Sequence, residues 1–195
     1  MLTLSPYDRS AAVAYAHQWA YGRNPAFYDY EKIGGDCTNF ASQCIYAGSG
    51  IMNFTPTFGW YYIDANQKAP AWTGVPYLYR FLTRTISSVG PVAQEAEISA
   101  LLPGDILQLS FNGEEFQHSP VVVSVGSPAT PENVLLAAHS YDADHRPLAT
   151  YAYQKIRFLH ITGVLRPLPG SSYIIHIFAV RYAIIKPQKK RRDAT

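Results

Sequence analysis

At 195 residues, 48% apolar and 15% charged, the chain is long enough for one domain with a modest core and too apolar to be disordered. Its net charge of +2 hides an asymmetry: residues 1–180 hold 10 Lys and Arg against 13 Asp and Glu, and the basic excess sits in the run KKRR at 189–192. A body without a basic stripe argues against a nucleic-acid partner, and such a run reads as a solvated tail.

The N-terminus, MLTLSPYDRS, lacks the charged and apolar regions of a signal peptide. The expectation is therefore a cytoplasmic protein by default, or a cell-wall-associated one if export takes another route. The longest apolar stretch, Tyr173–Ile185, is interrupted by His176 and Arg181, and falls short of the roughly 20 residues that cross a bilayer. Ser5-Pro6-Tyr7-Asp8 then predicts a helix start, with Ser5 as cap, Pro6 in the first turn and Asp8 completing a capping box. Ala11, Ala14, Tyr15 and Trp19 continue at helical spacing to a stop at Gly22.

The next segment is GGDCTNFASQCIYAGSG. Asp36 is placed as an N-cap, its carboxylate facing the amides of the first turn. Phe40, Ala41, Cys44 and Ile45 form an apolar stripe, and Gly48 and Gly50 end the helix. Cys37 projects from the first turn on the side of that stripe. On one helix Cys37 and Cys44 lie about 10 Å apart, beyond disulfide reach, so both thiols are expected to be free. Without a further Cys/His pair at ligand spacing, no metal site is expected.

Residues 52–84 are aromatic and irregular, and the end of PAWTGVPYLYRFL reads as helical. From residue 101 the pattern turns to short strands: LLPGDILQLSF, then HSPVVVSV (118–125), NVLLAAHS (133–140) and KIRFLHIT (155–162). Helices followed by antiparallel strands predict an α+β fold. Residues 1–163 are read as the domain and 164–195 as an extension with the basic tail.

A helix N-terminus lowers a cysteine pKa and offers unpaired amides to an oxyanion, so the Asp36–Cys37 helix start suits a thiol nucleophile. Cys44, deeper on the stripe, reads as a buried structural thiol. If the hairpin turn centres between Pro128 and Ala129, His118 lies opposite His139 on one face, as base and orienting partner. A slip of one residue sends them to opposite faces. Asp142 is the rival third member. His17, His145, His160 and His176 read as structural. Trp60, Tyr61, Tyr62 and Trp72 are candidate cleft walls, but read more readily as core.

The block GGDCTNFASQC, with YDRSAAVAYAHQWA before it and WYY and AWTGV after, resembles the bacterial putative amidase domain family, itself related to NlpC-like and CHAP-like cell-wall hydrolases of the papain-like class. PGDILQL, HSPVVV and AAHSYD follow in the order the resemblance implies, over about residues 5–163. It implies a papain-like arrangement of N-terminal helices on a small antiparallel sheet or half-barrel. It also implies a dyad with a polar third residue, falling on Cys37, His118 and His139, and Tyr28 or Tyr30 near the oxyanion site. The implied reaction is cofactor-free cleavage of amide or peptide bonds, with peptidoglycan stem peptides as the expected substrate. The alternatives are acyl transfer on the same scaffold, or a cell-wall binding module whose dyad has decayed.

Overall fold

The computed structural model describes residues 1–85 and 87–168. The KKRR run, the stretch Tyr173–Ile185 and His176 lie outside the described residues. Strand β1 (Leu2–Ser5) precedes helices α1 (Arg9–Trp19), α2 (Cys37–Ser49), α3 (Pro70–Thr73) and α4 (Val75–Leu82). Strands β2 (Gly90–Ala96), β3 (Ile106–Ser110), β4 (Val121–Val125), β5 (Val134–Ala138), β6 (Ala143–Pro147) and β7 (Lys155–Pro167) follow. All pairings are antiparallel, in the order β1-β7-β3-β4-β5-β6, with β2 on the other edge of β7. The fold is α+β, as the pattern of elements predicts.

The helices cover one face of this sheet. Phe40 and Ile45 of α2 pack with Trp60, Trp72, Leu78 and Leu82, and with Ile106, Val121, Ala137 and Leu159 from the strands. Alternate residues point the other way: Leu107, Leu109, Val122, Val134 and Leu136 form a second core with Leu148 and Tyr151. Burial on both faces explains why β3, ILQLS, is buried at every position.

Asp105, from the Pro-Gly-Asp turn before β3, locks the sheet to α1. Its carboxylate accepts hydrogen bonds from Arg9 (2.7 Å), His160 (2.9 Å) and the amides of Leu102 and Ile161. His160 is thereby structural, as expected.

Two sequence expectations about the first helix change. Ser5 belongs to β1, where its hydroxyl donates to the Val164 carbonyl, and Asp8 is the N-cap, accepting from the Ala11 amide at 3.0 Å. Pairing with β7 holds residues 2–5 extended and delays the helix past Pro6. Strand β7 also runs through Gly163 to Pro167, with Val164 fully buried, so a boundary after residue 163 falls inside a strand.

The β4–β5 register also differs from the expected one. Val121 faces Ala137 and Val122 faces Leu136, one residue away from the pairing that sets His118 opposite His139. An irregularity between Val122 and Ser124 shifts it further.

Candidate active site

Helix α2 is the central helix, with 11 of its 13 residues buried. Burial of its polar residues is tolerable because each finds a partner. Asn39 Oδ1 accepts from the Trp72 indole at 2.9 Å, Ser42 Oγ from the Trp60 indole at 3.0 Å, and Gln43 from Tyr15. Trp60 and Trp72 are therefore fully buried core residues that clamp α2, and not cleft walls.

The start of α2 is held by Asp36, which sits at the N-cap position without capping through its side chain. Its buried carboxylate turns away from the first-turn amides. Oδ1 accepts from the Tyr30 amide and Asn39 Nδ2, and Oδ2 meets His139 Nδ1 at 2.6 Å. His139 Nε2 donates to the Trp19 carbonyl at 2.9 Å, and the ring stacks on Phe40 with centroids 4.0 Å apart. A carbonyl only accepts, so Nε2 carries a proton. With both nitrogens engaged on the helix face, His139 does not orient His118.

His118 lies on the opposite face, as the changed register requires. Its backbone bridges Leu109, and its ring lies between Phe111 and Tyr151, at 6.0 and 5.9 Å between centroids. Burial, with Arg146 adding a smaller effect, lowers the pKa of His118 to about 4. The imidazole is therefore neutral near pH 7 and able to accept a proton.

Cys37 and His118 line one half-open cavity of about 550 Å³ with Gly34, Gly35, Gln117 and Ser140, and with Phe111, Tyr141, Arg146, Tyr151 and Ala152. Gly34 and Gly35 adopt φ of 118° and 96°, which L side chains avoid, and they bring the chain round to the helix start. The Asp36 amide donates to Ser140 Oγ at 2.9 Å, tying that start to the loop after β5. The Cys37 thiol lies 3.8 Å from the Gln117 carbonyl and 3.7 Å from Thr38 Oγ1. Burial raises its pKa, outweighing the hydrogen bonds that favour the thiolate. Burial raises Cys44, fully enclosed, far more. Position at a helix start alone predicts a lowered Cys37 pKa; desolvation reverses the direction and keeps the order of the two thiols.

The other sequence candidates stand apart from this cavity. Tyr61 packs on Phe54, Tyr62 is buried, Tyr30 is buried beneath Lys68, and Tyr28 is half exposed against the edge of Tyr30. Asp142 forms a two-pronged pair with Arg23, both contacts at 3.0 Å. Arg146 and Tyr151 in the cavity wall are not foreseen, because neither belongs to the cysteine block or to a histidine strand. Their signal is spatial: a cation and a phenol brought beside His118 by β6 and the turn after it.

Among the described residues, His17, Asp144 and His145 form a cluster of metal-ligating type. Both imidazole Nδ1 atoms meet the Asp144 carboxylate, at 2.9 and 3.2 Å. The rings stack with planes 6° from parallel, so their in-plane lone pairs cannot converge on one ion as they stand. Ordinary hydrogen bonding accounts for the cluster.

A family model described as "Putative amidase domain" matches residues 6–162, which takes in Cys37, His118 and the whole cavity wall. The chain belongs to that family. The family's description points to amide hydrolysis as the activity. A curated relative from Bacillus subtilis (strain 168), the uncharacterized protein YhbB, is 32% identical over 143 residues, covering 72% of this chain. The chain spans less than half of that relative, 43% of its length. No solved structure matches. Among the described residues no helix is long and apolar enough to cross a membrane.

Proposed function

We propose that the protein hydrolyses amide or peptide bonds through a thioester on Cys37, with His118 as the general base. The observation that carries this reading is the shared cavity: its wall holds both a thiol at a helix start whose amides lack a side-chain cap and an imidazole held neutral by burial.

The resting pair is thiol and imidazole, both uncharged. The thiol proton passes to His118 as Cys37 Sγ attacks the substrate carbonyl, and the first-turn amides of α2 supply donors for the developing oxyanion. The tetrahedral intermediate collapses as His118 returns the proton to the leaving amine. Water, deprotonated by the same imidazole, then releases the acid and restores the thiol. No side chain hydrogen-bonds the His118 ring among the described residues, so it is unrestrained by a competing partner; such contacts often tighten only on substrate binding. Asp36 and His139 serve the chemistry at one remove, by fixing where α2 begins.

A nucleophile-bearing helix packed against an antiparallel sheet that carries the histidine supports the papain-like comparison. Peptidoglycan stem peptides are the substrate suggested by the resemblance to NlpC-like and CHAP-like hydrolases. Incubation with purified peptidoglycan and with model peptide amides in isotopically labelled water tests the reading by mass spectrometry. The expected product is a new carboxyl group carrying one labelled oxygen, absent with Cys37→Ala. An adduct with an added amine in place of the acid indicates acyl transfer, and no new product from either substrate class overturns the proposal.

A further inference from the structure

Arg146 is the single permanently charged side chain among the residues that line the Cys37–His118 cavity. Its guanidinium carbon lies over the Tyr151 ring, 3.9 Å from the centroid. Two N–H groups are spent locally: Nε donates to Thr150 Oγ1 at 2.9 Å and Nη2 to the Thr150 carbonyl at 3.0 Å. That leaves three of the five guanidinium N–H groups without a described protein acceptor. No described carboxylate pairs with Arg146. The acids tied to the opposite wall are engaged elsewhere: Glu31, which accepts from Ser140, Asp36 and Asp142 all gather around Arg23, at 3.6, 3.8 and 3.0 Å.

A second observation in the same wall points to a missing polar partner. Tyr151 is only 9% exposed, and its hydroxyl is buried beside the Arg146 guanidinium without a hydrogen bond of good geometry. Leaving such a group unsatisfied is unfavourable, and one in a cavity wall calls for a functional reason or a partner from outside the chain. Arg146 is also the charge that opposes protonation of His118. A bound anion at Arg146 would offset that effect and strengthen the base as substrate arrives.

Resting on the hydrolase reading, we propose that Arg146 and Tyr151 form a carboxylate-recognition subsite, selecting substrates that carry a free carboxylate close to the scissile amide. The guanidinium presents the fork geometry that suits a carboxylate, and the Tyr151 hydroxyl, enclosed in the wall without a ligand, would turn toward the anion to donate a further hydrogen bond. The fold of the wall explains the placement: Arg146 near the end of β6 and Tyr151 after the following turn are set beside His118, so the anion would sit next to the reacting carbonyl.

The test uses two peptides identical except that one bears a free side-chain carboxylate next to the scissile amide and the other its carboxamide. Binding is measured to the full-length Cys37→Ala protein, where turnover cannot interfere, and hydrolysis is measured with the wild type. The carboxylate peptide is expected to bind roughly 10- to 100-fold tighter, the range of a charged hydrogen-bonded pair, with the preference shrinking as salt is raised. Arg146→Gln, placed in the Cys37→Ala background, should bring the two affinities together, and Arg146→Lys should keep part of the difference. Tyr151→Phe should weaken carboxylate binding while leaving the melting temperature unchanged or higher, since it removes an unsatisfied buried group. Equal affinity of the unaltered subsite for both peptides overturns the inference, whether or not Arg146→Gln folds. A preference in binding without any hydrolysis keeps the subsite and removes the hydrolase reading; hydrolysis of both peptides with no preference does the reverse.

Discussion

At the scale of single residues, the two thiols separate what position contributes from what burial contributes. Cys37 and Cys44 share a helix, and burial raises both pKa values, Cys44 much more. Iodoacetamide should therefore label Cys37 first, with a rate still climbing above about pH 8.5, the value for a free thiol. Peptide mapping after limited labelling checks this; Cys44 reacting first contradicts it. His118 makes a second prediction. Its pKa falls from 6.5 to about 4 in the fold, so the unfolded chain takes up the proton first as pH drops. Stability present above about pH 6.5 should fall by up to about 3 kcal/mol on the way to pH 4. Urea unfolding at about pH 7 and pH 4.5 should show His118→Asn losing less than the wild type over that interval; an equal loss in both proteins would exclude His118 as the source.

At the scale of elements, helix α2 was largely legible in the sequence, and the hairpin register was not. Two glycines, an acid and a cysteine before an apolar stripe marked the helix start, and Gly50 ends it in the left-handed conformation, whereas Gly48, read as part of the stop, lies within the helix. The direction of the Asp36 carboxylate was hidden, because besides the nearby Tyr30 and Asn39 it depends on His139, which arrives from 103 residues away. The register was hidden because the irregularity in β4 leaves no mark in a run of valines. The consequence is testable. His139→Ala takes the close partner from Asp36 Oδ2, leaving it Arg23 at 3.8 Å, and should cost about 1–3 kcal/mol of stability, the penalty for a buried acceptor that loses its hydrogen bond. Denaturant unfolding should show that loss, and any fall in turnover should follow the unfolded fraction. A stable variant with slowed chemistry would return His139 to the catalytic group. Gly48→Ala probes the α1–α2 contact, since a Cβ there overlaps the Tyr7 ring and the Asp8 carbonyl. A loss of roughly 1–3 kcal/mol is expected in the same assay, and a neutral result would mean that the two helices can move apart freely.

At the scale of the whole molecule, the α+β class followed from the order of helical and alternating segments, while β1, β2 and the length of β7 emerged only from the assembled sheet. The four residues of β1 carry too little pattern to be read alone, and they are strand because residues 164–167 lie beside them. A chain cut after Leu168 should therefore keep the β1–β7 pairing, and one cut after Gly163 should lose it together with the buried Val164. The shorter form should melt several degrees lower, on the scale of 2–8 °C per kcal/mol; equal melting temperatures would show that β1 adds nothing to the sheet. The larger claim is that this scaffold presents Cys37 and His118 to one carbonyl. Its most direct test is mass spectrometry of the protein quenched in acid during turnover of an activated peptide ester. The account predicts a mass increase equal to the acyl group, mapped to Cys37, labile to hydroxylamine and absent from Cys37→Ser under the same quench. Turnover of the ester with unmodified Cys37, or full activity in Cys37→Ser, would contradict it.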